Sequence, residues 1–192
     1  MTAERESRAT ATIAMQKRYP RDVTLRDDRG VSLQLMSIRD YVPFTRFAKA
    51  LPRRDLLFEE QDITDSTVLD EWMRSIRRGH AATVLAYAGE AIVGEASLTH
   101  SRTEWMRHTG EVRIIVASDA RGTGLGHVLA DEIFACAGIL GLERLTAQML
   151  EEQRQAKVVF ERLGFEQVAT LPRAAVDLDG KKHDIIVMMR DL

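Results

Sequence analysis

The residues whose types and spacing suit chemistry are concentrated in one stretch, Ile114-Ile115-Val116-Ala117-Ser118-Asp119-Ala120-Arg121-Gly122-Thr123-Gly124-Leu125-Gly126. It reads as an apolar strand, a short polar turn and the glycine-rich start of a helix. Backbone N–H groups in the first turn of a helix lack internal partners and carry the positive end of its dipole. With no Cβ at 122, 124 and 126, a phosphate can approach that backbone closely, and Arg121 adds charge in the same place. The chemistry such a segment asks for is the binding of a diphosphate. Two other phosphate loops fit poorly. A P-loop needs Gly-Lys-Ser/Thr, whereas Gly126 is followed by His127-Val128. The dinucleotide fingerprint GxGxxG/A meets His127 at its third small position. A glycine-rich turn that holds no ligand is the plain alternative.

Two linked motifs carry a resemblance. Arg121 to Gly126 spells Arg-x-x-Gly-x-Gly, and a helical stretch from Gln153 ends downstream in Leu163-Gly164-Phe165. In this order they resemble the GCN5-related N-acetyltransferases (GNAT), in which the first motif is the acyl-CoA pyrophosphate loop. The likeness extends in coarse element order from about residue 30 to the C-terminus. It implies a sheet that splays open after the strand Glu111 to Ala117, with pantetheine bonded to backbone near Ile115 and Ala117. A strand N–H at Ile115 or Val116 would then face the thioester oxygen, a donor worth roughly 3 to 4 kcal/mol in acyl-transfer sites that use one. The implied cofactor is acetyl-CoA, with no metal. The implied contacts are Ile115, Val116, Ala117, Arg121, Gly122, Thr123, Gly124, Leu125 and Gly126, joined by Gln153 and Phe160 from the later helix.

The same resemblance nominates Glu111 as general base, because many family members carry a glutamate at this place on the strand. A protonated amine must lose its proton before it attacks a thioester. The alternative for Glu111 is a pairing with Arg113, two residues along the same strand face, which would weaken it as a base. Glu95 and His100 are the reserves. Two positions depart from the family. Phe160 stands where a proton-donating Tyr often lies, and Gln153 replaces a frequent Asn. Neither excludes catalysis, since a thiol of pKa about 8.5 is a tolerable leaving group. The histidines show no metal-ligand spacing, and Cys136 reads as a small core residue.

The elements that must position these groups follow from periodicity. Val31-Ser32-Leu33-Gln34-Leu35 alternates as a half-buried strand. Asp40 is placed to cap a helix to about Ala50, with Val42, Phe44, Phe47, Ala48 and Leu51 on one side. Asp65 or Ser66 is placed to cap a second helix ending at Arg77-Arg78-Gly79. Thr83–Tyr87 and Ala91–Thr99 flank Ala88-Gly89-Glu90 as a hairpin, and Glu111–Ala117 continues the meander. Gly122 to about Leu140 is helical in spacing, Arg144–Leu150 is strand and Arg154–Leu163 is helix. Asp179-Gly180 is the strongest hairpin signal, joining Val168–Val176 to Asp184–Arg190. The expected fold is α/β: one domain with a mixed, splayed β-sheet flanked by helices, over residues 21–192, preceded by a flexible N-terminal arm over 1–20.

With 192 residues, 27 basic against 29 acidic side chains and a net charge of −2, the chain is long enough for one sizeable core. It has no overall charge suited to nucleic acid or an anionic membrane. A single cysteine gives no internal disulfide, and no apolar run is long enough to span a bilayer. The expected location is the cytoplasm. Locally, Asp55 to Glu71 holds acids and no Lys or Arg; it is either a solvated segment with a dipole-compatible helix start or a negative mouth that gathers cationic amines. The reading is an N-acetyltransferase moving an acetyl group from acetyl-CoA to a primary amine, on a small molecule or a protein lysine, by direct transfer. The alternative is a non-catalytic acyl-CoA-binding sensor module. No nucleic-acid or membrane partner is expected, and a homodimer is an allowed assembly.

Overall fold

The computed structural model describes residues 10–52, 56, 62–100, 103–177 and 179–192. Its strands are β1 (Arg21–Thr24), β2 (Gly30–Leu35), β3 (Ala81–Ala88), β4 (Ala91–His100), β5 (Thr109–Val116), β6 (Arg144–Leu150), β7 (Glu166–Val176) and β8 (Lys182–Asp191). They form one sheet in the order β1-β2-β3-β4-β5-β6-β8-β7. Every neighbouring pair is antiparallel except β5 and β6, which run parallel. The helices are α1 (Tyr41–Ala50), α2 (Ser66–Arg77), α3 (Leu125–Ile139) and α4 (Arg154–Arg162).

Side-chain alternation along the strands creates two cores. Ala82, Val84 and Ala86 of β3, with Ala96 and Leu98 of β4, pack against Leu125, Leu129, Ile133 and Cys136 of α3. Leu85 and Tyr87, on the opposite face, pack against Phe44 and Phe47 of α1 and Leu69 and Met73 of α2. Fully burying one such aliphatic or aromatic side chain contributes about 1.5 to 3 kcal/mol. The sheet is thus covered on both faces, which is why β3 and β4 read as nearly continuous apolar runs.

One helix cap follows its sequence signal, and one cap and one side chain depart from theirs. Asp65 caps α2 by accepting from Thr67 N at 2.7 Å. Asp40 precedes α1 but makes no side-chain cap to it. Its carboxylate instead accepts from Ser37 N at 2.7 Å and from Tyr87 Oη at 2.7 Å, tying α1 to β3. Val42, placed on the apolar side of α1 by spacing, is 57% exposed in the first turn.

The N-terminal segment packs where an arm was expected. Residues 10–16 are helical, and Ala11 and Met15 are buried. The anchor is Glu132 of α3, which accepts from Arg18 Nε at 2.7 Å and Tyr19 Oη at 2.9 Å and pairs with Arg21. Burial alone would raise the Glu132 carboxyl, but donation from Arg18 and Tyr19 and the charges of Arg18 and Arg21 hold it below the usual range. Residues 10–20 are therefore joined to the domain, and β1 adds an edge strand that propensity did not mark. Residues 1–9 lie outside the described structure.

Candidate active site

The centre of the sheet opens. The β5–β6 ladder holds three pairs, Thr109↔Arg144, Gly110↔Leu145 and Glu111↔Thr146. Beyond them β5 stays paired to β4 as far as Gly94↔Val116, and β6 stays paired to β8 as far as Leu150↔Ile185. The two strands diverge from Val112 and Ala147 onward. A cleft of about 610 Å³ occupies the gap, bordered by Glu111, Arg113 and Ile114 of β5, Gln148 of β6 and Trp72 of α2.

Backbone direction along β5 decides which groups face the gap. Ala117 N donates to Val93 O at 2.9 Å. Backbone groups alternate in direction along a strand, so Ile115 presents its groups to β4, as Ala117 does its N–H, while Ala117 O turns away to accept from Ala120 N at 2.9 Å. Ile114 and Val116 present theirs to the open side, and Val116 O accepts from Arg121 Nε at 3.1 Å. The resemblance implied pantetheine bonds to backbone near Ile115 and Ala117; the groups on the open edge are those of the adjacent Ile114 and Val116. Ile115 is a core side chain packed with the α1–α2 cluster. Ile114 lines the cleft in its place.

At the end of β5 the chain turns through Ser118–Ala120 and the glycine loop into α3. Gly122 and Gly124 have φ of 80° and 90°, a region that a side chain rarely adopts. Thr123 Oγ1 donates to Ala120 O at 2.7 Å and accepts from Leu125 N at 3.4 Å, holding the turn. Leu125 is fully buried and anchors the first turn of α3 in the core. A Cβ built on Gly122 would meet nothing within 4 Å, and one on Gly126 would meet only Val116 at 3.8 Å. The loop therefore presents open backbone beside the first turn of α3, a fit to a diphosphate. Arg26, from the β1–β2 turn, lies over Gly124; no local sequence signal announced it.

Glu111 sits half-buried at the last pair of the parallel ladder and accepts from Gln148 Nε2 at 3.3 Å. Arg113, on the same face of β5, ion-pairs through Nε with the fully buried Glu95 at 3.3 Å. Its guanidinium lies 4.4 Å from the centre of the Trp72 ring. Trp72 is fixed in turn by Nε1 donation to Thr83 Oγ1 at 3.0 Å. His100, the other reserve, is at the far end of β4 with Nε2 2.8 Å from Gly79 O, and it is stacked edge-on with His80.

The far wall comes from α4 and the β7–β8 hairpin. Gln153 and Phe160 both line the cleft. Gln153 Oε1 accepts from Leu150 N at 2.9 Å, so the residue shapes the turn between β6 and α4. Phe160 is 8% exposed and meets Phe165 edge-on at 5.0 Å, so it packs the core and the cleft wall at once. His183 of β8 was not singled out from sequence. Its Nδ1 is 2.7 Å from Glu152 Oε1 and its Nε2 2.9 Å from Asp177 Oδ2. An imidazole donates through both nitrogens only when protonated, and its two carboxylate partners raise its pKa. Burial pushes the Cys136 thiol up, in keeping with a core role.

Of the acidic stretch, Asp55, Glu59 and Glu60 lie outside the described residues. Asp62 accepts from Thr64 N and Oγ1 at 2.9 and 2.6 Å and Asp65 caps α2, so both serve local structure. Glu71 borders the cleft. Among the described residues no group of His, Cys, Asp and Glu is arranged to hold a metal, and no helix is long and apolar enough to cross a membrane.

A sheet that opens beside a parallel pair, with a glycine loop leading from its central strand into a helix, is also the fold of solved GNAT-family acetyltransferase structures. Residues 79–167 match the family model of the acetyltransferase (GNAT) domain. That match spans just under half of the chain and is a likeness of this segment to the GNAT domain. YwnH of Bacillus subtilis, which bears the name of a phosphinothricin acetyltransferase, is 32% identical over 84 residues, 44% of this chain and 51% of that protein. The chain thus spans about half the length of the curated relative it matches. Among solved structures, a GNAT-family acetyltransferase from Streptococcus pneumoniae superposes with a TM-score of 0.75 at 20% identity, covering 84% of this chain and 99% of that one. A ribosomal-protein-alanine N-acetyltransferase from Brucella melitensis gives 0.73 at 23%, covering 83% and 99%. The acetyltransferase yncA of Salmonella typhimurium, solved with acetyl-CoA, gives 0.74 at 18%, covering 84% and 94%. At these identities the likeness is one of fold.

Proposed function

We propose that this protein is an N-acetyltransferase that moves an acetyl group from acetyl-CoA to a primary amine by direct attack within the cleft between β5 and β6. The observation that carries this reading is the short parallel ladder: it ends at Glu111↔Thr146 and leaves the inner edge of β5 open beside the glycine loop. Bound acetyl-CoA supplies an activated thioester. The backbone of Gly122, Thr123, Gly124 and Gly126, with Arg121, would hold its diphosphate at the start of α3. The open-side N–H groups of Ile114 and Val116 are donors for the pantetheine chain and for a carbonyl oxygen gaining charge. Gln153 and Phe160 would close the other side.

Glu111 is the general base in this reading. It lines the cleft at the point where the strands part, and Gln148 orients its carboxylate. It would accept the proton that an ammonium must lose before attack. Arg113 is ion-paired to Glu95, so Glu95, the reserve base, already has a cationic partner. The thiolate can depart unaided, since Phe160 has no proton to give. Glu71 and Glu111 place carboxylates along the cleft, which favours an acceptor carrying positive charge.

The direct experiment is a thermal melt with CoA followed by steady-state CoA release over a panel of amines. CoA at a hundred times its Kd stabilises a binding protein by about 2.7 kcal/mol. The wild type is expected to show that shift and to release CoA with at least one amine. Binding without turnover on any amine would favour the sensor reading.

A further inference from the structure

We infer that Arg26, carried by the turn between β1 and β2, is a further diphosphate-binding residue that completes the glycine loop from outside it. The inference rests on the reading above that this loop takes the diphosphate of CoA. The turn is docked on the loop by main-chain and side-chain bonds. Arg26 N donates to Thr123 O at 3.0 Å, and Arg29 Nη2 donates to Asp119 O at 3.0 Å. Leu25, buried beneath, donates through N to Arg29 O at 2.8 Å and closes the turn.

The two arginines of this turn are held differently. Arg29 is committed to protein partners, because its Nε also donates to Asp27 Oδ2 at 2.6 Å. The Arg26 side chain runs along the loop. Its Nε, Cδ and Cγ lie 3.2, 3.3 and 3.4 Å from where a Cβ on Gly124 would stand. Gly124 is held to glycine by its φ of 90°, and the Arg26 stem lies over it. An exposed cation laid across the open backbone at the start of a helix is charge placed where a diphosphate would sit. Together with Arg121 it gives the loop two guanidinium groups drawn from segments far apart in sequence.

This makes the β1–β2 hairpin part of the donor site. It also gives the protein a reason to prefer CoA over thioesters that lack the diphosphate. Isothermal titration of the full chain with CoA, dephospho-CoA and pantetheine tests it, for wild type, Arg26→Gln and Arg26→Lys. Arg26→Gln is expected to weaken CoA and dephospho-CoA alike, by about tenfold, and to leave pantetheine unchanged. Arg26→Lys should recover part of the loss. Unliganded melting curves establish that the variants fold. If the wild type binds CoA and Arg26→Gln binds it equally well, this inference fails while the acetyltransferase reading stands. A loss confined to CoA would move the contact to the 3′-phosphate and overturn the diphosphate assignment, and an equal loss for pantetheine would do so too. If the wild type itself binds no CoA, the function proposed above fails first.

Discussion

Gln148 Nε2 donates to Glu111 Oε1 at 3.3 Å across the mouth of the splay, from a strand whose pairing with Glu111's own strand has just ended. The bond spans the widening gap by side chains after backbone pairing has stopped. The bond holds the carboxylate in one orientation. Gln148→Ala should therefore lower kcat a few-fold and leave CoA affinity unchanged. Steady-state transfer to one good amine, with calorimetry on CoA, checks this. An unchanged kcat would separate Gln148 from the base.

Phe160→Tyr places a hydroxyl where GCN5-related N-acetyltransferases often have one. Phe160 packs edge-on to Phe165 while lining the cleft, so the new oxygen faces both apolar neighbours and the reaction space. Turnover is expected to stay within about twofold, because a thiolate whose acid has a pKa near 8.5 leaves without help, and stability should fall by about 1 kcal/mol. A tenfold gain in kcat would show that thiolate departure limits the present enzyme.

Glu132→Gln should weaken the attachment of residues 10–21 to α3. The carboxylate is buried, yet Arg18 and Arg21 are 35% and 50% exposed, so solvent screens part of the pairing. A cost of about 1 to 3 kcal/mol is expected from lost charge-assisted bonds to a buried acceptor. Because the folded-state pKa of Glu132 is lowered, this stabilisation is present above the ordinary glutamate value and lost as pH falls through the folded one. Chemical denaturation of both proteins at pH 7 and pH 4 checks it. A difference of the same size at both would contradict the ion-pair account.

His183→Gln probes the clamp on the β7–β8 hairpin. The folded-state pKa of His183 is raised by Asp177 and then by Glu152. A raised histidine contributes stability fully below its unfolded value, about 6.5, and loses it as pH climbs through the folded value. The wild type should melt above the variant at pH 6, and the gap should narrow by pH 9. A gap that does not change with pH would mean that His183 acts by packing.

Much of this was legible in the residues. The alternation of Val31 to Leu35, the spacing of Leu125, Leu129 and Ile133, and the Asp179-Gly180 turn are local signals, and local physics honours them. The glycine loop was legible because its chemistry is built into consecutive backbone positions. What escaped was set by long-range contact. Arg26 reaches Gly124 only because β1 and β2 pair and their turn docks on the loop. His183 meets Glu152 only after β8 inserts beside β6. The N-terminal segment read as loose because its few apolar side chains look weak until Glu132 gathers Arg18, Tyr19 and Arg21. The resemblance pointed near Ile115 and Ala117, while the open edge belongs to the adjacent Ile114 and Val116, since direction along β5 depends on which neighbour it pairs with.

In the proposed reaction Glu111, at the point where β5 and β6 part, deprotonates an amine that attacks bound acetyl-CoA. It is tested most directly by steady-state acetyl transfer in wild type and Glu111→Gln, with CoA affinity measured on both proteins by calorimetry. The expected result is a loss in turnover of about 10² to 10⁴ at pH 7, with CoA affinity little changed. Part of the loss should be recovered at higher pH, where more of the amine is already neutral. Equal turnover in the two proteins at pH 7, with intact CoA binding, would contradict it.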